Sequence, residues 1–190
     1  MIKFVASDLD GTLLLNGAQS VDESAIQYIN KLVDKGVIFA PASGRQITSL
    51  KRLFGTVSDK LAYIAENGAL VEYMGETIGK TPMDRKLALE IIEDVIEQPD
   101  CEVLVSGELY LDLMDTNVNK GRGIEQIQKY FSLKPEECMA FGDNYNDIAM
   151  LDRVYYSYVM EKAVDDVKKH GHFITGWVEG TLREQFKEIR

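Results

Sequence analysis

The 190-residue sequence predicts an α/β fold built on an open, doubly wound parallel sheet. Short apolar runs typical of buried strands alternate with segments whose apolar residues recur at helical spacing. The strand, helix, strand order of residues 2–40 favours a parallel pair with a right-handed crossover. Several apolar runs end directly in polar loops, and α/β sheets carry their binding sites at the carboxyl ends of their strands.

The N-terminal part is predicted as three strands, two helices and a hairpin. The helix after the first strand has Ser20 and Glu23 at the spacing of a capping box and ends at Gly36. The predicted strands cover residues 2–6, 37–40 and 61–65, the second helix carries Ile47, Leu50, Leu53 and Phe54 on one face, and the hairpin pairs residues 69–73 with 76–80.

Residues 82–115 interrupt this alternation. A helical apolar spacing followed by two short apolar segments around Gly107 predicts a helix and a β-hairpin. We therefore predict a core domain formed by residues 1–81 and 116–190, with residues 82–115 as a small α+β insertion.

The alternation of strands and helices resumes after the insertion. The predicted elements are a helix from Lys120 that ends before Pro135, a strand at 137–141, a short helix through Ile148 and Leu151, a strand at 154–159, a helix at 163–168, a strand at 172–174 and a last helix at 182–189.

Composition excludes several classes of partner. The net charge of −10 and the pI near 4.7 argue against nucleic acid and anionic membranes, because both require a basic face. No apolar stretch reaches the roughly 18 residues of a membrane span, and Asp8 and Asp10 interrupt the N-terminal apolar run before it resembles a signal peptide. We predict a cytoplasmic protein whose two cysteines, Cys101 and Cys138, are buried reduced thiols.

Asp8 and Asp10 follow the first strand within the segment Asp-Leu-Asp-Gly-Thr. If the extended form continues through Leu9, both carboxylates lie on the same side of the chain. Two close carboxylates gain stability from a divalent cation, and a carboxylate beside such a cation can attack phosphorus while its neighbour serves as general acid and base. Taken alone, the segment fits a simple turn after a core strand equally well.

Two further polar positions fall where the sheet predicts a site. Ser43 and Gly44 stand between the second strand and a helix, where Ser is most often an N-cap, although the same geometry suits a phosphate cradle. Lys120 opens a helix, where a cation opposes the macrodipole. It is either a surface lysine or a group that acts with the helix end on one phosphoryl anion.

Asp143 and Asp147 follow the 137–141 strand and are four residues apart, which is same-face spacing if a helix begins between them. With Asp8 and Asp10 they would form an acidic cluster that repels itself in the absence of a cation. Oxygen ligands without a nearby histidine cluster favour magnesium over zinc. A solvated turn aspartate is the alternative for Asp147.

Together these segments resemble the haloacid dehalogenase (HAD) superfamily, and most closely its Cof-type (subfamily IIB) phosphatases. They occur in the family order and span most of the chain. The matching segments are Asp8-Leu9-Asp10-Gly11-Thr12-Leu13-Leu14, Ala42-Ser43-Gly44-Arg45, Glu66-Asn67-Gly68-Ala69, Asn119-Lys120-Gly121 and Phe141-Gly142-Asp143-Asn144-Tyr145-Asn146-Asp147. The resemblance implies a Rossmann-like core and magnesium-dependent phosphoryl transfer.

The resemblance also implies catalytic and metal-binding roles. Asp8 attacks phosphorus and becomes an aspartyl phosphate, while Asp10 protonates the leaving oxygen and later activates water. Mg²⁺ is bound by Asp8, the backbone carbonyl of Asp10 and Asp143. Asp147 is implied either as a direct ligand or as a partner of the ligands.

The implied substrate is a small phosphorylated metabolite, such as a sugar phosphate. Ser43, Gly44 and Lys120 would hold its phosphoryl oxygens, and Asn67 and Asn146 would border the rest of the molecule. The metal and the lysine neutralise charge at the transferring group, where most of the catalytic effect in such reactions arises.

The sequence departs from the family in its cap. Cof-type proteins usually carry a large αβ cap, whereas this chain has only residues 82–115. Either the site is open to bulky substrates, or a neighbouring subunit of a homo-oligomer covers it. After the last matching segment, Tyr158-Val159-Met160-Glu161-Lys162-Ala163 stands where the family often has Val-Ala-Met-Gly-Asn-Ala, a change that concerns loop contacts.

Three other functions are alternatives to hydrolysis of a small phosphorylated metabolite. A phosphomutase must shield its aspartyl phosphate from water, which a small cap does poorly. A non-catalytic or regulatory module that binds metal and phosphate would not need both Asp10 and Lys120. A macromolecular phosphorylated substrate is compatible with the same catalytic residues.

Overall fold

The computed structural model describes residues 1–82 and 118–189, together with Asp84, Lys86 and Glu90 between them. Almost all of the predicted 82–115 insertion, including Cys101, lies outside the described residues. The insertion's helix, its hairpin and its domain boundaries therefore stay predictions.

Eight strands are present within the described ranges. They are β1 (Phe4–Ser7), β2 (Ile38–Pro41), β3 (Ala62–Ala65), β4 (Leu70–Tyr73), β5 (Glu76–Lys80), β6 (Cys138–Gly142), β7 (Tyr156–Met160) and β8 (Phe173–Thr175). Five of them form a parallel sheet in the order β2-β1-β6-β7-β8. The other three form an antiparallel sheet, β3-β4-β5, which a bridge between Ala42 and Ile64 joins to the end of β2.

Helices cover both faces of the parallel sheet. Those in the described ranges are α1 (Glu23–Asp34), α2 (Ile47–Phe54), α3 (Lys120–Phe131), α4 (Ile148–Leu151), α5 (Asp165–Lys168) and α6 (Val178–Gln185). None of these helices is long and apolar enough to cross a lipid bilayer.

Alternation along β1 shows why the sheet needs a helical layer on each side. Val5 belongs to an apolar cluster that includes Leu32 of α1 and Leu182 of α6. Phe4 belongs to the opposite cluster, which includes Ile124 of α3. Successive side chains of a strand point to opposite faces, so β1, which is buried at every position, must be covered on both sides. The predicted doubly wound α/β class is confirmed.

Two predicted helix boundaries are wrong. The capping box of Ser20 and Glu23 does not form, because Asp22 is the N-cap of α1 and its carboxylate accepts a hydrogen bond from the Ser24 amide at 2.8 Å. The last helix spans Val178–Gln185 rather than 182–189. The predicted helix extended to residue 189 because Ile189 is apolar, but Ile189 is buried beyond the end of the helix.

The residues that flank the insertion are held to the core. The Thr81 amide donates to the carbonyl of Ala69 at 2.8 Å. On the other side, the Asn119 side chain caps α3 by accepting from the Arg122 amide at 3.0 Å. Both attachments lie beside Gly68, because a Cβ on that glycine would be only 2.3 Å from the Asn119 carbonyl oxygen. Thr81 and Asn119, the described residues on either side of the insertion, therefore lie close together.

We expect Gly121→Ala to lower the free energy of unfolding, measured by urea denaturation. Alanine has a higher helix propensity than glycine by about 1 kcal/mol. However, its Cβ would lie 2.2 Å from the backbone carbonyl oxygen of Ala149, so α3 and α4 would have to separate. Overpacking of this kind costs about 1–3 kcal/mol, which exceeds the gain.

Gly180→Ala is the matched control. The new Cβ would lie 2.5 Å from the ring of Trp177, a side chain that is 55% exposed and free to turn aside. This variant should be as stable as the wild type or more stable. Equal effects of the two substitutions would contradict the packing argument.

Candidate active site

Asp8 directly follows β1, an inner strand of the parallel sheet, at its carboxyl end. Its amide still donates to the carbonyl of Phe141 at 2.9 Å, so its backbone continues the contact between β1 and β6. Its side chain is buried. The chain then turns through Gly11, which has φ of +94° and on which a Cβ would be 2.3 Å from Asp143 Oδ2. Glycine at this position lets the Asp143 carboxylate lie against the end of β1.

Lys120 is the first residue of α3 and is fully buried. Its Nζ donates to Asp8 Oδ1 at 2.5 Å and to Asp147 Oδ1 at 2.6 Å. The alternative of a surface lysine is therefore wrong. A buried ammonium group must be paired, and here the carboxyl groups of Asp8 and Asp147, from different parts of the chain, accept its hydrogen bonds.

Asp147 connects this lysine to the loop after β6. Its Oδ2 accepts hydrogen bonds from the amides of Asp143 at 2.9 Å and Asn144 at 3.0 Å, while its Oδ1 accepts from Lys120. The side chain is fully buried, so the alternative of a solvated turn aspartate is wrong. Residues 145–147 form a short 3₁₀ turn that directs the carboxylate back toward the loop.

Three carboxylates meet at this point of the described structure. One oxygen from each of Asp8, Asp143 and Asp147 lies within 4.8 Å of the others. Burial is the main cause that raises the pKa of Asp8 to about 7, and it outweighs the lowering effect of Lys120. Burial also raises the pKa of Asp143, against the hydrogen bond that Asp143 Oδ1 accepts from the Thr12 hydroxyl at 2.8 Å. The pKa of Lys120 is raised because Asp8 and Asp147 outweigh its burial.

Asp10 does not belong to the three-carboxylate cluster. The strand ends at Ser7, so the extended geometry that would have aligned Asp8 and Asp10 does not continue through Leu9. The Asp10 side chain is 58% exposed and forms an ion pair with Arg45. No role was predicted for Arg45, although it stands in the Ala42-Ser43-Gly44-Arg45 segment.

Ser43 is buried but is not a helix N-cap. Helix α2 begins at Ile47, and the Ser43 Oγ accepts instead from the Arg45 amide at 3.2 Å within the preceding loop. The Ser43 amide donates to the carbonyl of Ile64, and its carbonyl accepts from the Asn67 amide. The expectation of a hydroxyl directly at a helix N-terminus is therefore wrong, while Ser43 still lies at the end of β2.

Two asparagines from different loops meet beside Ser43. The Asn146 amide group donates to Asn67 Oδ1 at 3.3 Å. Asn67 also lies against Gly44, where a Cβ would be 3.1 Å from its Nδ2 atom. The structure thus brings Gly44, Asn67 and Asn146 together, as expected for residues of one site at the carboxyl edge of the sheet.

The sequence profile of the haloacid dehalogenase-like hydrolases matches this chain over residues 5–109 and 97–180. These segments cover most of the 190 residues, and the chain therefore belongs to this family. The two matched ranges overlap within the predicted insertion.

Named relatives define the class further. The chain is 22% identical over 233 residues to a 5-amino-6-(5-phospho-D-ribitylamino)uracil phosphatase of Escherichia coli (strain K12), covering 85% of this chain and 86% of that protein. It is 24% identical over 213 residues to a phosphoglycolate phosphatase of Thermoplasma volcanium, and the alignment covers 95% of this chain and 94% of that protein. A solved structure of a HAD subclass IIB sugar phosphatase, BT4131, aligns with a TM-score of 0.71 at 21% identity. The alignment covers 97% of this chain and 99% of that structure.

These comparisons confirm the predicted family, fold and enzyme class. The chain is a phosphatase of the HAD superfamily, with the fold of subclass IIB. Enzymes of this family usually use a metal ion.

The acidic cluster fits a hard divalent cation. Its donors are carboxylate oxygens, which Mg²⁺ prefers. Lys120 supplies one positive charge against three carboxyl groups, and burial makes the remaining negative charge costly. Both oxygens of Asp147 already accept hydrogen bonds from protein groups, so Asp8 and Asp143 are better placed than Asp147 to bind a cation directly.

We expect the free energy of unfolding, measured in urea with a chelator present, to fall as pH rises from about 4 to about 7. The ordinary pKa of Asp8 is 3.8 and the folded state raises it to about 7, so the folded protein keeps a proton that the unfolded chain loses in this window. The slope is at most about 1.4 kcal/mol per pH unit for one group. Asp143 contributes in the same direction.

Mg²⁺ should flatten this slope, because a bound cation stabilises the ionised carboxylates. Asp8→Asn is the control, since asparagine does not titrate and its slope should be smaller than that of the wild type. Identical slopes for wild type and Asp8→Asn would show that Asp8 does not carry the pH dependence.

Proposed function

We propose that this chain is a magnesium-dependent phosphomonoester hydrolase that acts through an aspartyl phosphate on a small phosphorylated metabolite, such as a sugar phosphate. One observation carries the proposal: Lys120 is buried in contact with Asp8 and Asp147, beside Asp143. A structural ion pair needs only two charges. A third carboxyl group in the same cluster is more simply explained by a site that binds a cation and a phosphoryl group.

In the first step, an oxygen of Asp8 forms a bond to phosphorus as the bond between phosphorus and the leaving oxygen breaks. The leaving oxygen takes the electron pair and receives a proton from Asp10. In the second step, Asp10 takes a proton from water while the water oxygen bonds to phosphorus. The bond between phosphorus and Asp8 then breaks, which releases inorganic phosphate and restores both carboxyl groups.

Asp8, Asp143 and the backbone carbonyl of Asp10 are the proposed Mg²⁺ ligands. When bound, the cation supplies positive charge that neutralises the carboxylates and the transferring phosphoryl group. We propose that Asp147 is not a metal ligand. Its carboxylate holds Lys120 and the amides of the Asp143 loop, so that it orients both groups toward the site.

Ser43, Gly44 and Lys120 are the proposed phosphate-binding residues. Lys120 would direct its charge at the phosphoryl oxygens, and Ser43 would contribute hydrogen bonds from the end of β2. Asn67 and Asn146 are hydrogen-bonded to each other and would border the organic part of the substrate.

The proposed substrate class follows the relatives. One is named for a phosphorylated ribityl compound and another for phosphoglycolate, both small phosphorylated molecules. Both alignments are longer than the 190-residue chain, so these relatives have segments that this chain lacks, in keeping with a reduced cap. With a reduced cap, the site is either open to bulky substrates or covered by a second subunit of a homo-oligomer. The free buried thiol of Cys138 supports a reducing, cytoplasmic location.

We expect Asp8→Asn to lower the hydrolysis of p-nitrophenyl phosphate by at least about a thousandfold, because the nucleophile is removed. The wild type should require Mg²⁺ and lose activity when the metal is chelated. Circular dichroism should show that the variant remains folded.

Asp34→Asn is the control, because Asp34 pairs with Lys60 on the surface, away from the site. Its activity should equal that of the wild type. An unchanged rate for Asp8→Asn would refute the mechanism. If the folded, metal-loaded wild type hydrolysed neither the aryl phosphate nor a panel of metabolite phosphates, the result would favour a binding module or a macromolecular substrate.

A further inference from the structure

Arg45 and Asp10 form a two-point ion pair at the edge of the site. Arg45 Nε donates to Asp10 Oδ2 at 3.0 Å, and Arg45 Nη2 donates to Asp10 Oδ1 at 2.7 Å. Two parallel bonds from a planar guanidinium fix the plane of a carboxylate as well as its position. Within the described residues, no other basic side chain forms an ion pair with Asp10.

The backbone of Arg45 is fixed on both sides. Its amide donates to the Ser43 Oγ at 3.2 Å, and its carbonyl accepts from the Glu66 amide at 3.1 Å. The Asn67 amide in turn donates to the Ser43 carbonyl at 3.1 Å. The guanidinium therefore extends from a loop that is tied to the 66–68 turn, and this anchoring determines where the Asp10 carboxylate is held.

Stability does not explain this pair. The Arg45 side chain is 32% exposed and that of Asp10 is 58% exposed, and exposed ion pairs contribute little to folding. Without Arg45, a carboxylate on an exposed side chain would sample several rotamers. Proton transfer, by contrast, depends on a donor and an acceptor held within hydrogen-bond reach.

We infer that Arg45 is a positioning residue that holds the Asp10 carboxylate in place to take a proton from the hydrolytic water; this rests on the proposed function. As Asp10 accepts the proton, the water oxygen bonds to phosphorus and the bond from phosphorus to Asp8 breaks. Arg45 contacts neither phosphorus nor water in this role and acts through Asp10.

The test is pre-steady-state hydrolysis of p-nitrophenyl phosphate with Mg²⁺ by the wild type, Arg45→Met and Arg45→Lys. For Arg45→Met we expect kcat to fall roughly 10- to 100-fold, the scale of a misplaced catalytic group. Nitrophenolate leaves readily without a proton, so the first step should stay fast. A burst of about one nitrophenolate per site should therefore precede slow turnover. Arg45→Lys keeps the positive charge but loses the two parallel hydrogen bonds to Asp10, so it should give an intermediate kcat.

Arg52→Met is the matched control, because Arg52 is an exposed arginine on α2 that belongs to no proposed part of the site. Its kcat should equal that of the wild type, and its melting temperature should match that of Arg45→Met.

Several outcomes would overturn the inference. An active wild type with an unchanged kcat for Arg45→Met would refute the role of Arg45 but not the proposed function. A raised KM with unchanged kcat would show that Arg45 binds substrate instead. A lowered kcat without a burst would place the slowed step before phenol release. An inactive wild type would refute the inference together with the proposed function.

Discussion

The buried ammonium group of Lys120 contacts Asp8 and Asp147, and this arrangement joins three separate parts of the chain. Asp8 ends β1, Lys120 begins α3, and Asp147 follows β6. Displacing any of these elements would leave a buried charge without its partner, which costs about 3–5 kcal/mol. The start of α3 can approach β3 only because glycine offers no side chain there: a Cβ on Gly123 would lie 2.5 Å from the Ile64 side chain.

Charge explains why the site needs a cation to receive a phosphate ester. The chain has a net charge of −10, and three carboxyl groups gather where the phosphoryl group is expected. The two nearby basic groups already have carboxylate partners, Lys120 with Asp8 and Asp147, and Arg45 with Asp10. An incoming dianion would have to compete with these carboxylates for positive charge. A divalent cation would offset this negative charge and supply a further positive centre for the dianion.

The fold and the composition of the site were predictable because they follow from periodic patterns and from the rule that sites lie at the carboxyl ends of parallel strands. Asp8, Asp143, Asp147 and Lys120 were predicted on that basis and do meet. The separation of Asp10 from Asp8 was not predictable, because it depends on where β1 stops being extended. Nor was the role of Arg45 apparent, since a two-point contact between residues 35 positions apart leaves no local pattern. The N-cap of α1 was misassigned because Asp22 competed with Ser20 for the same function.

Thr81 and Asn119, which flank the predicted insertion, are both held beside Gly68, and this has a consequence for how the core can vary. Because Thr81 and Asn119 are already close together, a longer segment between them does not require the core to change. For a flexible loop, doubling its length adds only about 0.6 kcal/mol of closure entropy. The same core can therefore carry insertions of very different size while Asn119 continues to cap α3 and Lys120 keeps its position. The segment between Thr81 and Asn119 can thus be exchanged without disturbing the contacts of Lys120 with Asp8 and Asp147.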